Sequence, residues 1–308
     1  VMETVRYDTF STLMDDFYAL REQQERVRQR GADLLRTATT ARDRIRRKLA
    51  MQEKDYAATQ NRDQLRIYGD LITANLYRME RGAARLETEN FYDPECRPVA
   101  IPLDPLLTPQ QNAAKYYKRY TKAKTAEKYL AEQMALARRD LDYLESVLEE
   151  LSRAETEQDF LDIRGELRDA GFLRRQGKKE QNRPAKPLEF RTTSGFRVLV
   201  GRNNRQNDKL TRSADHRDIW LHTQKIHGSH VILCTGGREV DDDTIVEAAK
   251  LAAWFSQARD SSKVPVDYTP VKYVKKPNGA RPGMVTYTTY ETAWVTPDGE
   301  LAKRLRVK

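Results

Sequence analysis

LAEQMALARRDLDYLESVLEEL, residues 130–151, decides the fold of much of this chain. Leu130, Met134, Ala137, Leu141, Leu144, Leu148 and Leu151 fall at alternating spacings of four and three. That is the a/d repeat with which two helices bury a shared seam. A partner helix is written upstream. Residues 9–81 contain no proline, and only Gly31 and Gly69 interrupt a stretch rich in Arg, Ala, Gln, Leu and Glu, all strong helix formers. Asp8 or Thr9 caps its start. Phe10, Leu13, Phe17 and Leu20 recur at helical spacing, so the first turns are expected to pack. Leu65, Tyr68, Ile72, Leu76 and Met79 form a second seam. Two such helices around a short structured tip read as an antiparallel coiled-coil hairpin, with an intermolecular coiled coil as the alternative.

The tip is predicted at about 86–125. RLETENFY and RPVAIPL are short strand-like runs on either side of Asp93-Pro94, a turn signal. Thr108-Pro109 then supplies a cap and a first helical residue. The helix it opens carries Lys115, Lys118, Arg119 and Lys122 at i, i+3, i+4 and i+7, with Lys124 beyond and no acid between Lys115 and Lys124. Tyr116, Tyr117 and Tyr120 interleave with these cations. Ammonium and guanidinium groups pair with phosphates and tyrosines stack or hydrogen-bond, so contact with RNA or a ribosomal protein is expected here. A solvated helix whose tyrosines pack the tip is the plainer reading.

The arm is expected to fill residues 1–173, followed by a basic linker at 174–187, where RRQGKKEQNRPAK sets six cations against one acid. From residue 188 to 308 the pattern turns to strands. LEFRTT and FRVLVG flank a Ser194-Gly195 turn, and residues 203–214 read as a short polar helix. Asp241, Asp242 and Asp243 open the apolar helix TIVEAAKLAAWFSQA. Sheet with helices on one side makes this an α+β domain. The chain as a whole is expected to be α+β, a long helical hairpin with a small tip followed by a compact domain.

Composition narrows the function classes. The 308 residues carry a formal charge of +9, with 33% charged and 39% hydrophobic residues and a mean hydropathy of −0.81. No apolar run approaches the roughly 18–20 residues that span a bilayer, and Cys96 and Cys234 are too few for a disulfide framework. A reducing cytoplasm, no membrane and a phosphate-rich partner follow as expectations.

The densest cluster of chemistry is GRNNRQNDKLTRSADHRDIWLHTQKIHGSHVIL, residues 201–233, which holds all four histidines. A metal site on His222, His227 and His230 is one reading, although their spacing matches no standard cage. Catalysis with Asp218 orienting His222 as general base is a second; no paired nucleophile accompanies it. The third is RNA recognition: Asn203, Asn204 and Asn207 reading base edges or riboses, Arg202, Arg205, Lys209 and Arg212 holding phosphates, and Trp220 or His222 stacking, with Asp218, His227 and His230 on the same face. Its structural counterpart makes Trp220 core and the His and Asn side chains loop ties.

GRNNRQNDKLT, DIWLHTQKIHGSHVIL, EAAKLAAWFSQAR and VPVDYTPVKYVKKPNGARPGMV resemble, in the same order, segments of the carboxyl-terminal RNA-binding module of the NFACT family. LDPLLTPQQNAAKYYKRYTKAK is similar to that family's middle domain, which caps its coiled coil. The resemblance implies a non-enzymatic ribosome-associated quality-control factor without a cofactor or metal. Its partners would be large ribosomal subunits obstructed by peptidyl-tRNA, and tRNA, with rRNA or a stalk-base protein expected at the tip; DNA is not expected. Some members support untemplated alanine tailing of stalled chains. The resemblance is expected to begin roughly at the arm, without the amino-terminal NFACT domain, so tailing is not expected of this chain alone. Its Val1-Met2 opening suggests a fragment of a larger protein or a naturally split form. Bacterial relatives have long been labelled fibronectin-binding, which makes a surface adhesin the alternative from another class.

Overall fold

The computed structural model describes residues 9–174 and 184–307. Most of the predicted basic linker lies outside the described residues, as do Asp8 and the side chain of Leu20. In chain order the elements are α1 (Phe10–Thr59), α2 (Arg62–Ala74), β1 (Arg85–Glu89), β2 (Pro98–Pro102), α3 (Pro109–Arg153), α4 (Glu157–Asp169), β3 (Leu188–Arg191), β4 (Arg197–Val200), α5 (Asn204–Ser213), β5 (Ile219–Thr223), β6 (Val231–Cys234), α6 (Asp242–Trp254), β7 (Val264–Pro270), β8 (Val274–Lys275), β9 (Thr286–Tyr287), β10 (Glu291–Val295) and α7 (Gly299–Leu305). The fold is α+β. It divides into two compact units, residues 44–140 and residues 1–43 with 141–308.

In the 44–140 unit, α1 and α3 run antiparallel, held by Leu49, Met134 and Ala137 in the seam and by Arg138 Nη2 donating to Glu53 Oε1 at 2.9 Å. The helix predicted to continue to residue 81 stops at Thr59. There Thr59 Oγ1 donates back to the Tyr56 carbonyl at 2.7 Å. β1 and β2 pair in register from Arg85 opposite Pro102 to Glu89 opposite Pro98, the hairpin that Asp93-Pro94 announces. Leu71, Ile72, Leu86, Ile101, Ala113 and Tyr116 form the core beneath it. Gly69 is required where it stands, because a Cβ would sit 2.9 Å from the Tyr117 ring.

In the other unit, six antiparallel strands order as β10-β7-β5-β6-β4-β3. Alternation along each strand sends neighbours to opposite faces. Leu221, Val231, Leu233 and Val266 pack on Ala248, Leu251 and Ala252 of α6 and on Leu301 of α7. Trp220 and Ile232 pack on Leu210 of α5 and on Val271. Helices therefore cover both faces, and the expectation of helices on one side is corrected: the polar α5 buries its few apolar residues as surely as the Ala-rich α6. The carboxyl end of α3 and the amino half of α1 belong to this unit. Tyr143, Leu144 and Val147 are fully buried while Leu141 and Leu148 are only half-buried, so the seam here is wider than the a/d repeat. A Cβ on Gly31 of α1 would meet the Phe160 ring of α4 at 2.8 Å. Phe10, Leu13 and Phe17, expected to pack, are exposed.

Candidate nucleic-acid interface

Most of the polar cluster at 201–233 faces inward. Asn203 is the N-cap of α5, its side-chain oxygen accepting from the Gln206 N–H at 2.9 Å. Asn204 donates through Nδ2 to Ser146 Oγ at 3.0 Å and to Glu166 Oε1 at 3.1 Å, tying α5 to α3 and α4. Asn207 Oδ1 accepts from the His230 N–H at 3.1 Å. All three are buried. Gly201 lets this happen: any Cβ there would collide with Asn207 Oδ1.

The histidines divide the same way. His230 is 2% exposed. Its Nε2 lies 3.1 Å from the Gly283 carbonyl, which only accepts, so Nε2 carries the proton and Nδ1 accepts from Thr211 Oγ1 at 2.8 Å. Burial pushes its pKa down to about 3, and that of half-buried His222 to about 4. Both rings pack beside Trp220, at centroid distances of 5.3 and 5.6 Å. Trp220 is 1% exposed, the core residue of the structural reading. His227 lies 3.6 Å from Asp142 of α3, and His216 is exposed. Asp218 gives one oxygen to the Gly236 N–H at 2.9 Å and the other to the Asp215 N–H at 3.2 Å. Four residues of extended chain separate it from His222 by about 13 Å, so the two do not form the acid–base pair considered from sequence. Among the described residues, no group of three or more His, Cys, Asp or Glu side chains is placed to hold a metal ion.

Arg202 is also engaged, donating through Nη1 to both oxygens of buried Asp159 at 2.7 and 2.9 Å. Hydrogen bonds from Arg202 and Thr156 outweigh burial and hold the Asp159 carboxyl below its ordinary range. Beside it, Glu166 accepts from Tyr143 Oη at 2.8 Å and from the Arg205 N–H at 3.4 Å. Burial pushes the pKa of Glu166 up, and that of Glu150 well above the carboxylate range. Sequence reasoning missed this buried acidic pair, since glutamates in a charged helix look solvated.

What faces solvent is cationic. Arg205, Lys209 and Arg212 line the outer side of α5, with Lys272 and Lys275 exposed on the adjoining segment that Val271 and Val274 anchor beneath them. Arg205 pairs with Asp169 at 2.5 Å and Lys276 with Asp208. Lys209, Arg212, Lys272 and Lys275 have no ion pair among the described residues, and Lys272 sits over the Tyr273 ring at 4.9 Å. The signal for these lysines was present in VKYVKK, where cations alternate with the apolar residues that pack.

At the tip, Lys118, Arg119, Lys122 and Lys124 are exposed on α3, and Lys115 pairs with Asp104 at 2.9 Å. Tyr116 lies beneath that surface, with the Arg119 guanidinium over its ring at 5.7 Å. Its ring is buried against Tyr68 and its hydroxyl donates to the Pro102 carbonyl at 2.6 Å. Tyr117 donates to Asp70 at 2.6 Å. These tyrosines pack the tip and leave the cations to face solvent.

Residues 2–186 match the family model of the NFACT N-terminal and middle domains, and residues 186–288 that of the NFACT protein RNA binding domain. Among characterised proteins, the chain is similar to the Rqc2 homolog RqcH of Bacillus subtilis, with 42% identity over 99% of the chain and 54% of the relative. The RqcH of Streptococcus pneumoniae strain D39 is 38% identical over 96% of the chain and 53% of the relative. The chain thus spans about half the length of these relatives. A solved structure, the C-terminal part of the fibronectin/fibrinogen-binding protein of Streptococcus suis, superposes with a TM-score of 0.73 at 31% identity, covering 92% of this chain and 100% of that one. Two family models laid end to end over nearly the whole chain, with curated relatives aligned along the same length, place it in the NFACT family.

Proposed function

We propose that this chain is the RNA-binding part of a ribosome-associated quality-control factor and that it docks on the large ribosomal subunit. The observation that carries the reading is the row Lys209, Arg212, Lys272 and Lys275, exposed and without counter-charge among the described residues, on a domain matched to an RNA-binding family. Surface lysine and arginine of this kind hold phosphates without reading sequence. The amides that resembled base-reading groups support the contact from behind, by fixing α5 and its cations. Exposed Lys118, Arg119, Lys122 and Lys124 supply a second basic surface at the tip, for rRNA or a stalk-base protein.

In a protein of the relatives' length, recruitment of tRNA and alanine tailing of stalled chains would follow, in the cytoplasm. No helix of the described residues is long and apolar enough to cross a membrane. Co-sedimentation with large subunits bearing or lacking peptidyl-tRNA tests the proposal. Preferential binding to the obstructed subunits supports it, and no binding at low salt contradicts it.

A further inference from the structure

A cleft of ≈ 310 Å³ lies between the end of α3, the start of β3, the end of α6 and α7. That is at the small end of the range for small-molecule sites, about 300–1,000 Å³. Five cations line it, Arg153, Arg202, Arg259, Lys303 and Arg306, with the acids Glu155 and Asp159 in the wall and Glu300 paired to Lys303 at 2.8 Å. Asp159 is already taken by Arg202 and Thr156. The remaining wall is apolar, with Phe190, Trp254 and Phe255. None of the exposed cations of α5 belongs to it.

Two donors in this wall lack acceptors. The Arg153 side chain is 8% exposed, and its Nη1 donates to Ser229 Oγ at 2.7 Å. Its Nε is buried with no hydrogen-bond partner among the described residues, and so is Arg202 Nε. Glu149 Oε1 is 3.3 Å from Arg153 Nε without hydrogen-bond alignment. Burial works against the charged form of Arg153 and so does the neighbouring charge of Arg259, while Glu149 and Glu150 favour it. Buried guanidinium donors normally find acceptors, and several cations around one cleft call for an anion whose oxygens bridge them.

We infer that this cleft binds a phosphate monoester carried on a nucleotide, with Arg153, Arg202 and Arg259 around the phosphate oxygens and Lys303 and Arg306 at the mouth. Guanidinium forks suit carboxylate as well as phosphate. The choice of phosphate rests on the RNA-binding reading, and the choice of an anion does not. A terminal phosphate fits a cleft of this small volume better than an internal phosphodiester, whose chain must continue on both sides. The source is either a free nucleotide or the phosphorylated end of an RNA strand.

Titration calorimetry of the full chain separates these possibilities, with AMP, adenosine, and one short oligoribonucleotide carrying a 5′-phosphate or a 5′-hydroxyl as probes. Arg259→Gln with Lys303→Gln is the variant of choice, since Arg259 is half-buried and Lys303 exposed, so the fold survives. The expected result is binding of AMP but not adenosine, or a preference of at least tenfold for the phosphorylated oligonucleotide, lost in the variant. Binding of AMP identifies a nucleotide site, and binding of the phosphorylated strand alone identifies an RNA end. Equal binding of each phosphorylated probe and its unphosphorylated partner, or an unchanged response in the variant, overturns the inference. RNA binding that depends on Lys209 and Arg212 is measured separately, so either reading can fail without the other.

Discussion

Asn207 Oδ1 accepts the backbone N–H of His230 at 3.1 Å, locking the polar helix α5 onto the start of β6. Asn207 is 1% exposed. Removing a buried acceptor leaves an amide unpaired, at roughly 1–3 kcal/mol. Asn207→Ala should therefore lower the unfolding free energy by that order, read as a lower urea midpoint at unchanged slope, while the folded variant keeps the salt dependence of RNA binding. A variant of normal stability that has lost RNA binding would make Asn207 a contact residue instead.

His222 and His230 give the module a pH-dependent stability of known sign. Their folded pKa values, about 4 and 3, lie below the ordinary 6.5. Between pH 6.5 and 4 the unfolded chain therefore binds protons that the folded chain refuses, and stability falls as pH falls. Urea unfolding across pH 7 to 4.5 should show this loss. The His230→Gln variant, less stable at pH 7, should lose less on acidification, because one of the two groups no longer titrates.

Glu150 acts in the opposite sense. It is 3% exposed, its Oε2 has no partner among the described residues, and burial followed by the charge of Glu166 raises its pKa well above the ordinary carboxylate. The folded state then holds a proton that the unfolded state releases, so stability declines as pH rises through that window and is complete below the unfolded pKa of about 4.3. Glu150→Gln keeps the shape without the charge. It should raise the melting temperature at pH 8 and converge on the parent at acidic pH; a lower melting temperature at pH 8 would show that the carboxylate is satisfied.

At the tip, stability and binding should separate. Tyr116→Phe removes a hydrogen bond to the Pro102 carbonyl, worth about 1 kcal/mol, and should leave subunit binding unchanged. Reversing Lys118, Arg119 and Lys122, which are exposed, should leave the melting temperature within a degree or two and weaken subunit binding. Unchanged binding after the reversal would remove the tip from the interface.

Local signals in the sequence carried the architecture, because heptads, turn dipeptides and caps act over a few residues. Thr108 caps α3, Asp241 caps α6 and Gly195 takes a positive φ at its hairpin. What could not be read was direction. Asn204, Asn207 and Asp218 have the side chains of a binding face, and only the long-range partners Ser146, Glu166, His230 and Gly236 show that they point inward. The same holds for Tyr116, whose neighbours along the helix are the exposed cations while its own ring is core. Glu150 of α3 and Glu166 of α4 escaped notice because nothing in either charged helix marks one of its glutamates as buried.

The most direct measurement is the affinity of the full chain for ribosomal RNA over a salt series, parent against the charge-neutralised Lys209, Arg212, Lys272 and Lys275 variant. If these four hold phosphates, log affinity falls linearly with log salt, and the slope flattens by about one for each phosphate that the variant no longer neutralises. An unchanged slope, with the variant folded, would contradict the account.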